Sequence, residues 1–306
     1  MANCLPFIQR REVLMKTVTM PCCLIVTAIG IATPTLADES CDKLVAALPQ
    51  LKLSAATELA VSTIPDKTYK QLFDECDGDG EVNKAHKDTF AGLPLPDKNY
   101  CSTNKNTVEF VKLFRGKSGK TLVFRAKAAV DVDGSPASHG GNPNDQTKTS
   151  LQFDKGSIDE TANAEEVPFV VIPQPSYVDL KKKHRFYNTF FGYDSKVRIG
   201  DLAIAIHGKY CSFGVVGDEG PEFRLGEASV RTHADLHNPQ CAVANEHPCS
   251  QIKNNGDGDG IGNAVTYIIF PGSRPKMLIS QTVVEVAGKE GRDRVSKFLA
   301  EFAKSP

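Results

Sequence analysis

Two carboxylates on either side of a glycine-bounded turn are the residues of this chain best placed to do chemistry. Asp218 follows an apolar run, residues 213–216, inside a Gly-Asp-Glu-Gly-Pro turn, and Glu227 stands nine positions on, between Gly226 and Ala228. Acids beside an apolar strand end can be desolvated and can feel each other's charge. That separates their pKa values in the way acid and base roles require. A polar hairpin tip explains the same letters structurally. Other acids repeat the pattern: Asp131 and Asp133 in Asp131-Val132-Asp133-Gly134-Ser135-Pro136, Asp201 in Gly200-Asp201, and Glu219 beside Asp218. Turn chemistry accounts for these too, while as a cluster they would bind a cation or a cationic sugar.

Competing chemistries fail on spacing. His233, His237 and Cys241 recur at intervals of four, as ligands on one helical face do. Pro239 would break that helix, and no Glu follows His233 as in a zincin, so no metal is expected. Residues 74–83 imitate half a calcium loop with Glu75, Asp77, Asp79 and Gly80, but His86 stands where the closing Glu belongs. Gly258, Gly260 and Gly262 precede a strand rather than the helix N-terminus that phosphate binding uses. The chain has neither a serine elbow nor a Walker A loop, and no cofactor is implied.

The 306 residues carry 36 Lys and Arg against 37 Asp and Glu, with no Trp, which disfavours nucleic acid as a partner. Residues 1–37 read as an export leader. Arg10, Arg11 and Lys16 precede a short apolar run at 22–31, Thr35-Leu36-Ala37 offers a cleavage site, and the paired arginines suggest the twin-arginine type. The run is too short for a membrane anchor, so no membrane is expected after leader removal. Three of the basic and one of the acidic residues leave with it, giving 33 against 36. Six cysteines then remain, Cys41, Cys76, Cys101, Cys211, Cys241 and Cys249, in a secreted or periplasmic, disulfide-permitting setting. Short separation pairs Cys241 with Cys249.

These residues must be positioned by elements that change character along the chain. Residues 38–62 predict two short helices separated by Pro49, 67–73 continue a small helical lobe, and a proline-rich linker at 93–98 closes it. From residue 108 the texture is β. Strands are expected over 108–115, 121–130, 150–153, 167–172, 202–206, 210–216 and 265–270, with 277–280 and 282–286 as the last of them. Residues 292–304 predict an amphipathic helix with Val295, Leu299 and Phe302 inward. The basic run at 181–185 beside Phe186, Tyr187, Phe190, Phe191 and Tyr193 has no assigned role. The fold class is mainly β (α+β), a curved sheet or barrel with double-psi as one form, a helical lobe over 38–105 and a β domain over 106–306.

Taken in order, Phe124-Arg125-Ala126-Lys127 leading to Asp131, then residues 167–173, Gly200-Asp201-Leu202-Ala203, Gly217-Asp218 through Gly226-Glu227-Ala228-Ser229, and residues 267–273 resemble the chitosanases of glycoside hydrolase family 75. The resemblance covers about residues 106–286 and leaves the first lobe outside. It implies an endo-acting enzyme that cleaves β-1,4-glucosamine linkages with inversion, Asp218 and Glu227 being the catalytic pair; separately, a monomer is expected. Which of the two is acid and which base stays open at this stage. Asp131, Asp133, Asp201 and Glu219 would line subsites for the cationic sugars. Fungal members carry Thr-Asn-Gly after the catalytic Asp, whereas Glu219-Gly220-Pro221 stands here. The alternatives are hydrolysis of another cell-wall glycan such as peptidoglycan, and a non-catalytic carbohydrate-binding protein on the same scaffold.

Overall fold

The computed structural model describes residues 38–54, 56–77, 89–90, 93–94, 108–136, 146–175, 189–244, 246–253 and 260–304. Residues 1–37 with the expected leader, most of the calcium-like loop and of the proline-rich linker, Cys101, the side chain of Cys76, the basic run at 181–185 and the glycine loop at 254–259 lie outside them. Among the described residues, nine strands, four α-helices and a π-helical turn (Phe190–Asp194) carry the fold. The strands and α-helices are α1 (Glu39–Leu53), α2 (Tyr69–Asp77), β1 (Thr89–Phe90), β2 (Leu93–Pro94), β3 (Phe110–Gly116), β4 (Gly119–Asp131), β5 (Phe169–Pro173), β6 (Leu202–His207), β7 (Tyr210–Gly220), β8 (Glu227–Ser229), α3 (Val230–Asp235), β9 (Ile261–Ile269) and α4 (Val283–Phe302).

Strands β4, β8, β5, β7, β6 and β9 follow one another in hydrogen-bonded order, and β9 pairs back onto β4, so the sheet closes into a six-stranded barrel of mixed direction. The thirteen-residue strand β4 is its spine. Its first half is flanked by β3 and β9, and its last three residues exchange β3 for β8 on the same edge. Period-two alternation sorts the side chains onto the two faces of the curved sheet. Phe124, Ala126, Ala128, Ala203, Ala205, Val265, Tyr267 and Ile269 join one apolar cluster, together with Tyr69 and Phe73 of α2. Val123, Ile204, Ile206, Phe213, Val215 and Ile268 join the other, under Leu44 and Leu51 of α1 and Val283, Ala287, Val295 and Phe298 of α4. Phe190, left unassigned by sequence, packs edge-on to Tyr69 and Phe73 in the first cluster, while Tyr193 is exposed beneath Lys196.

Three expectations are corrected. α1 is one helix that runs through Pro49 instead of two separated by it. Its apolar face, with Leu44 and Leu51 fully buried, and its capping Asp38 outweigh one missing amide hydrogen bond. The second short helix is an extended segment. Glu58 bridges Lys112 and Ala60 bridges Thr68, which suits Leu59 and Val61, both buried with exposed Ala60 between them. The strands expected after residue 277 do not form. α4 begins at Val283, and its buried positions at 283, 287, 288, 291, 295 and 298 keep a helical period over its full length. Residues 150–153 contribute only an isolated bridge, Gln152 to Thr161.

The expected hairpin of β6 and β7 forms with Gly208 and Lys209 as its two-residue turn. Cys241 is joined to Cys249, and Cys41 of α1 to Cys211 of β7, across 170 residues of sequence. No helix among the described residues is long and apolar enough to cross a membrane.

One irregularity in β7 decides which face of the sheet Asp218 takes. Val170 pairs with Val216 but Val171 pairs with Asp218, so Gly217 is the extra residue of a bulge. Only glycine fits, because a Cβ there would lie 2.4 Å from Cγ of Phe169. Gly217→Ala therefore overpacks the β5–β7 contact. It is expected to destabilise the fold by about 1–3 kcal/mol and to rotate the end of β7, which thermal melting and the near-ultraviolet circular dichroism of the variant will read.

Candidate functional site

The pair Asp218 and Glu227 is not held by a hairpin, as their nine-residue separation suggests, because β7 and β8 do not pair with each other. β5 runs between them, parallel to β7 and antiparallel to β8. Its Val171 is in register with Asp218 on one side and with Glu227 on the other. The two acids thus occupy one row and one face of the sheet, separated by two strand spacings, about 9–10 Å between their Cα atoms. The crossover from β7 to β8 can span β5 because Phe223 and Leu225 anchor it in the apolar core. Gly226 then enters β8 at φ 96°, where a Cβ would meet the carbonyl oxygen of Lys127 at 2.3 Å. Ser229 ends β8 by capping α3: its Oγ accepts from Thr232 N and Phe169 N and donates to Val167 O.

β4 and the turn that follows it add two more carboxylates, Asp131 and Asp133. Ala129 is level with Glu227 and Asp131 with Ser229, so alternation turns Asp131 to the face that carries Glu227. The chain then doubles back, Asp133 N donating to Asp131 Oδ1 at 2.7 Å and Gln146 N donating to Asp133 Oδ1 at 2.6 Å. One oxygen from each of Asp131, Asp133 and Asp218 lies within 4.8 Å of the others. A divalent cation could use that spacing, and so can carboxyl groups that hold protons in common. Asp131 and Asp218 are almost wholly buried, while Glu227 keeps an accessible edge.

Such crowding decides the protonation. Burial first, and then the charges of Glu227, Asp218 and Asp133, push Asp131 well above the ordinary carboxylate range. Burial pushes Glu227 up to about 7 against the attraction of Lys127 and Arg224, with Asp133 and Asp218 adding repulsion. Asp218 is raised by burial too, but it is opposed by donors. Ser150 Oγ at 2.5 Å, Ser150 N at 2.9 Å and Glu219 N at 2.7 Å all donate to its Oδ1, and Asp133 lies within hydrogen-bonding reach. The row therefore holds two raised acids, of which Glu227 keeps its proton to near-neutral pH while at Asp218 hydrogen-bond donors oppose the rise.

The remaining residues singled out by sequence separate cleanly. Glu219, adjacent to Asp218, is level with Ile172 and turns to the opposite face; burial and the charge of Asp218 raise it. Asp201 does not join the cluster as a subsite residue. Its carboxylate is taken up by four backbone amides, those of Arg198, Gly272, Ser273 and Arg274, and fastens the turn after β9 to the start of β6. His233 is a core residue. Burial lowers it to about 4, so its ring is neutral and its Nε2–H donates to Ala129 O. His237 stacks on Tyr210 beyond the end of α3 and Cys241 is in its disulfide, so the three do not form a ligand set.

Ser150 was missed as a site residue because its partner is 68 positions away. Lys127 stood out only as part of a motif, although its charge is the largest one favouring ionisation of Glu227. A concavity of about 890 Å³ lies elsewhere, between the end of α1, β3 and the end of α4, and is lined by none of these acids. Residues 137–145 and 176–188, which follow β4 and β5 in the chain, are outside the described residues. Neither a scan against protein-family models nor a search of curated proteins finds a match to this chain.

A carboxyl raised in the folded state binds more protons there than in the unfolded chain, so its contribution to stability is present at low pH and is lost as pH rises towards its folded pKa. For Glu227 that window runs from about 4.5 to about 7. Glu227→Gln is therefore expected to stabilise the protein at pH 8 by up to about 3 kcal/mol and to leave it nearly unchanged at pH 4. Melting temperatures of both proteins across that range measure the difference.

Proposed function

We propose that the chain is an inverting glycoside hydrolase with Glu227 as general acid and Asp218 as general base. The observation that supports this most directly is the row Glu227–Val171–Asp218, two carboxylates on one face, both raised by burial, with hydrogen-bond donors opposing the rise at Asp218. An inverting enzyme needs its carboxyl groups about 6.5–9.5 Å apart, so that a water fits beside the sugar. A gap of two strand spacings leaves that room. In the reaction, Glu227 transfers its proton to the glycosidic oxygen as the bond to C1 breaks. Asp218 accepts a proton from the water whose oxygen attacks C1 from the opposite side, so the new hydroxyl has inverted configuration. A group that keeps its proton to about pH 7 suits the first task. A buried carboxylate held by three donors suits the second.

The substrate class we infer is a β-1,4-linked polymer of glucosamine. Four acids crowded on one face form a negative field that favours a polycation, and the ordered segments that resemble family 75 chitosanases include this row. The inference extends to a secreted or periplasmic monomer, the two disulfides being consistent with an oxidising compartment. No cofactor enters the proposed reaction.

Release of reducing ends from chitosan is the assay. Asp218→Asn and Glu227→Gln are each expected to lower the rate by about 10²–10⁴-fold, and the wild-type rate should fall as pH rises through about 7, where Glu227 loses its proton. Proton magnetic resonance of the first product should record the α-anomer. Turnover of peptidoglycan in place of chitosan would keep the mechanism and change the substrate. Chitosan binding without turnover by folded protein, or full activity in both variants, would remove the catalytic assignment.

A further inference from the structure

Ser150 is an exposed residue between two buried ones, Thr149 and Leu151. Both neighbours are clamped. Thr149 Oγ1 donates to Ala162 O at 3.2 Å, and Leu151 N donates to Gly217 O at 2.9 Å, which lays this segment along the bulge of β7. An exposed serine can satisfy its hydroxyl with water at no cost, so burial does not demand the partner this one has. Both of its donors instead converge on a single oxygen of a carboxylate that is 3% exposed. The other oxygen of Asp218 is buried and accepts no amide or hydroxyl hydrogen bond among the described residues.

Resting on the hydrolase reading, we propose that Ser150 is the positioning residue of the general base: its N–H and O–H fix Asp218 Oδ1 and thereby the orientation of the carboxylate in the row. The two bonds differ in what mutation can remove. Any residue but proline keeps the N–H, whereas of the small side chains only serine and threonine place a hydroxyl on Cβ, so the O–H contribution can be isolated without disturbing the backbone clamp. Hydrogen bonds to the ionised form hold a carboxylate's pKa down. Loss of this hydroxyl therefore leaves Asp218 protonated to higher pH.

The test is the pH dependence of kcat and kcat/KM on chitosan for wild type, Ser150→Ala and Ser150→Thr. In Ser150→Ala the acidic limb of both profiles is expected to move up by about one pH unit, with a lower plateau kcat, an alkaline limb in place and KM little changed. Ser150→Thr should return the limb to the wild-type position. A merely structural role would lower the melting temperature and leave the limb where it is, and profiles of Ser150→Ala that superimpose on wild type would overturn the proposal. If wild type turns over no glycan, the hydrolase reading fails on its own. The positioning of Asp218 is then read by carbon-13 carboxyl titration, with Asp218→Asn to identify the signal. An unchanged midpoint in Ser150→Ala would overturn it there, and an upward shift would sustain the contact without the reaction.

Discussion

The whole site depends on Val171 being paired on both edges. β5 contributes five residues to the barrel, and one of them sets the register of β7 and β8 simultaneously. Asp218 and Glu227 owe their common row to it, since β7 and β8, which carry them, do not pair with each other. The bulge at Gly217 completes the arrangement. Without the extra residue, Val171 would face Gly217 and the Asp218 side chain would turn to the other face of the sheet.

Electrostatics then follows from geometry. Acids collected from β4, β7 and β8 cannot all be ionised in a poorly solvated row, because each unneutralised charge raises its neighbours. What distinguishes them is the donors the scaffold supplies. Asp218 receives two from Ser150 and one from the amide of Glu219, Glu227 has the charges of Lys127 and Arg224 near it, and Asp131, almost wholly buried, has the amide of Asp133 against the repulsion of three others. Similar side chains in one small volume thereby acquire different proton affinities. That asymmetry is the chemical content of the site.

Much of this was legible in the sequence wherever the signal is local. The apolar runs of β4, β6 and β7, the Gly208-Lys209 turn and the short Cys241–Cys249 loop announce themselves through alternation, turn chemistry and spacing. Glu227 and Asp218 were visible as acids at strand ends. Asp201 looked the same, and its separation from the cluster hangs on the amides of Gly272, Ser273 and Arg274, which no local pattern reports. β8 has only three residues and lies between two partners distant in the chain, so no periodicity could reveal it. Ser150 is invisible for the same reason. The start of α4 was misread because Val283, Val284 and Val286 favour strands in isolation, whereas burial at 283 and 287 selects the helix.

The pairing that closes the barrel joins Leu122 to Ile269 and Ala126 to Val265, partners about 140 residues apart in the chain. Contacts of that span incur their loop-closure entropy before they return any stability, which places this barrel among slow folders. Until β9 docks, β4 and β6 each present an unpaired edge lined with apolar side chains. Such edges are templates for pairing with another chain. The last strand is thus also the guard against aggregation, and partly synthesised or truncated forms that lack it are the ones most exposed to self-association.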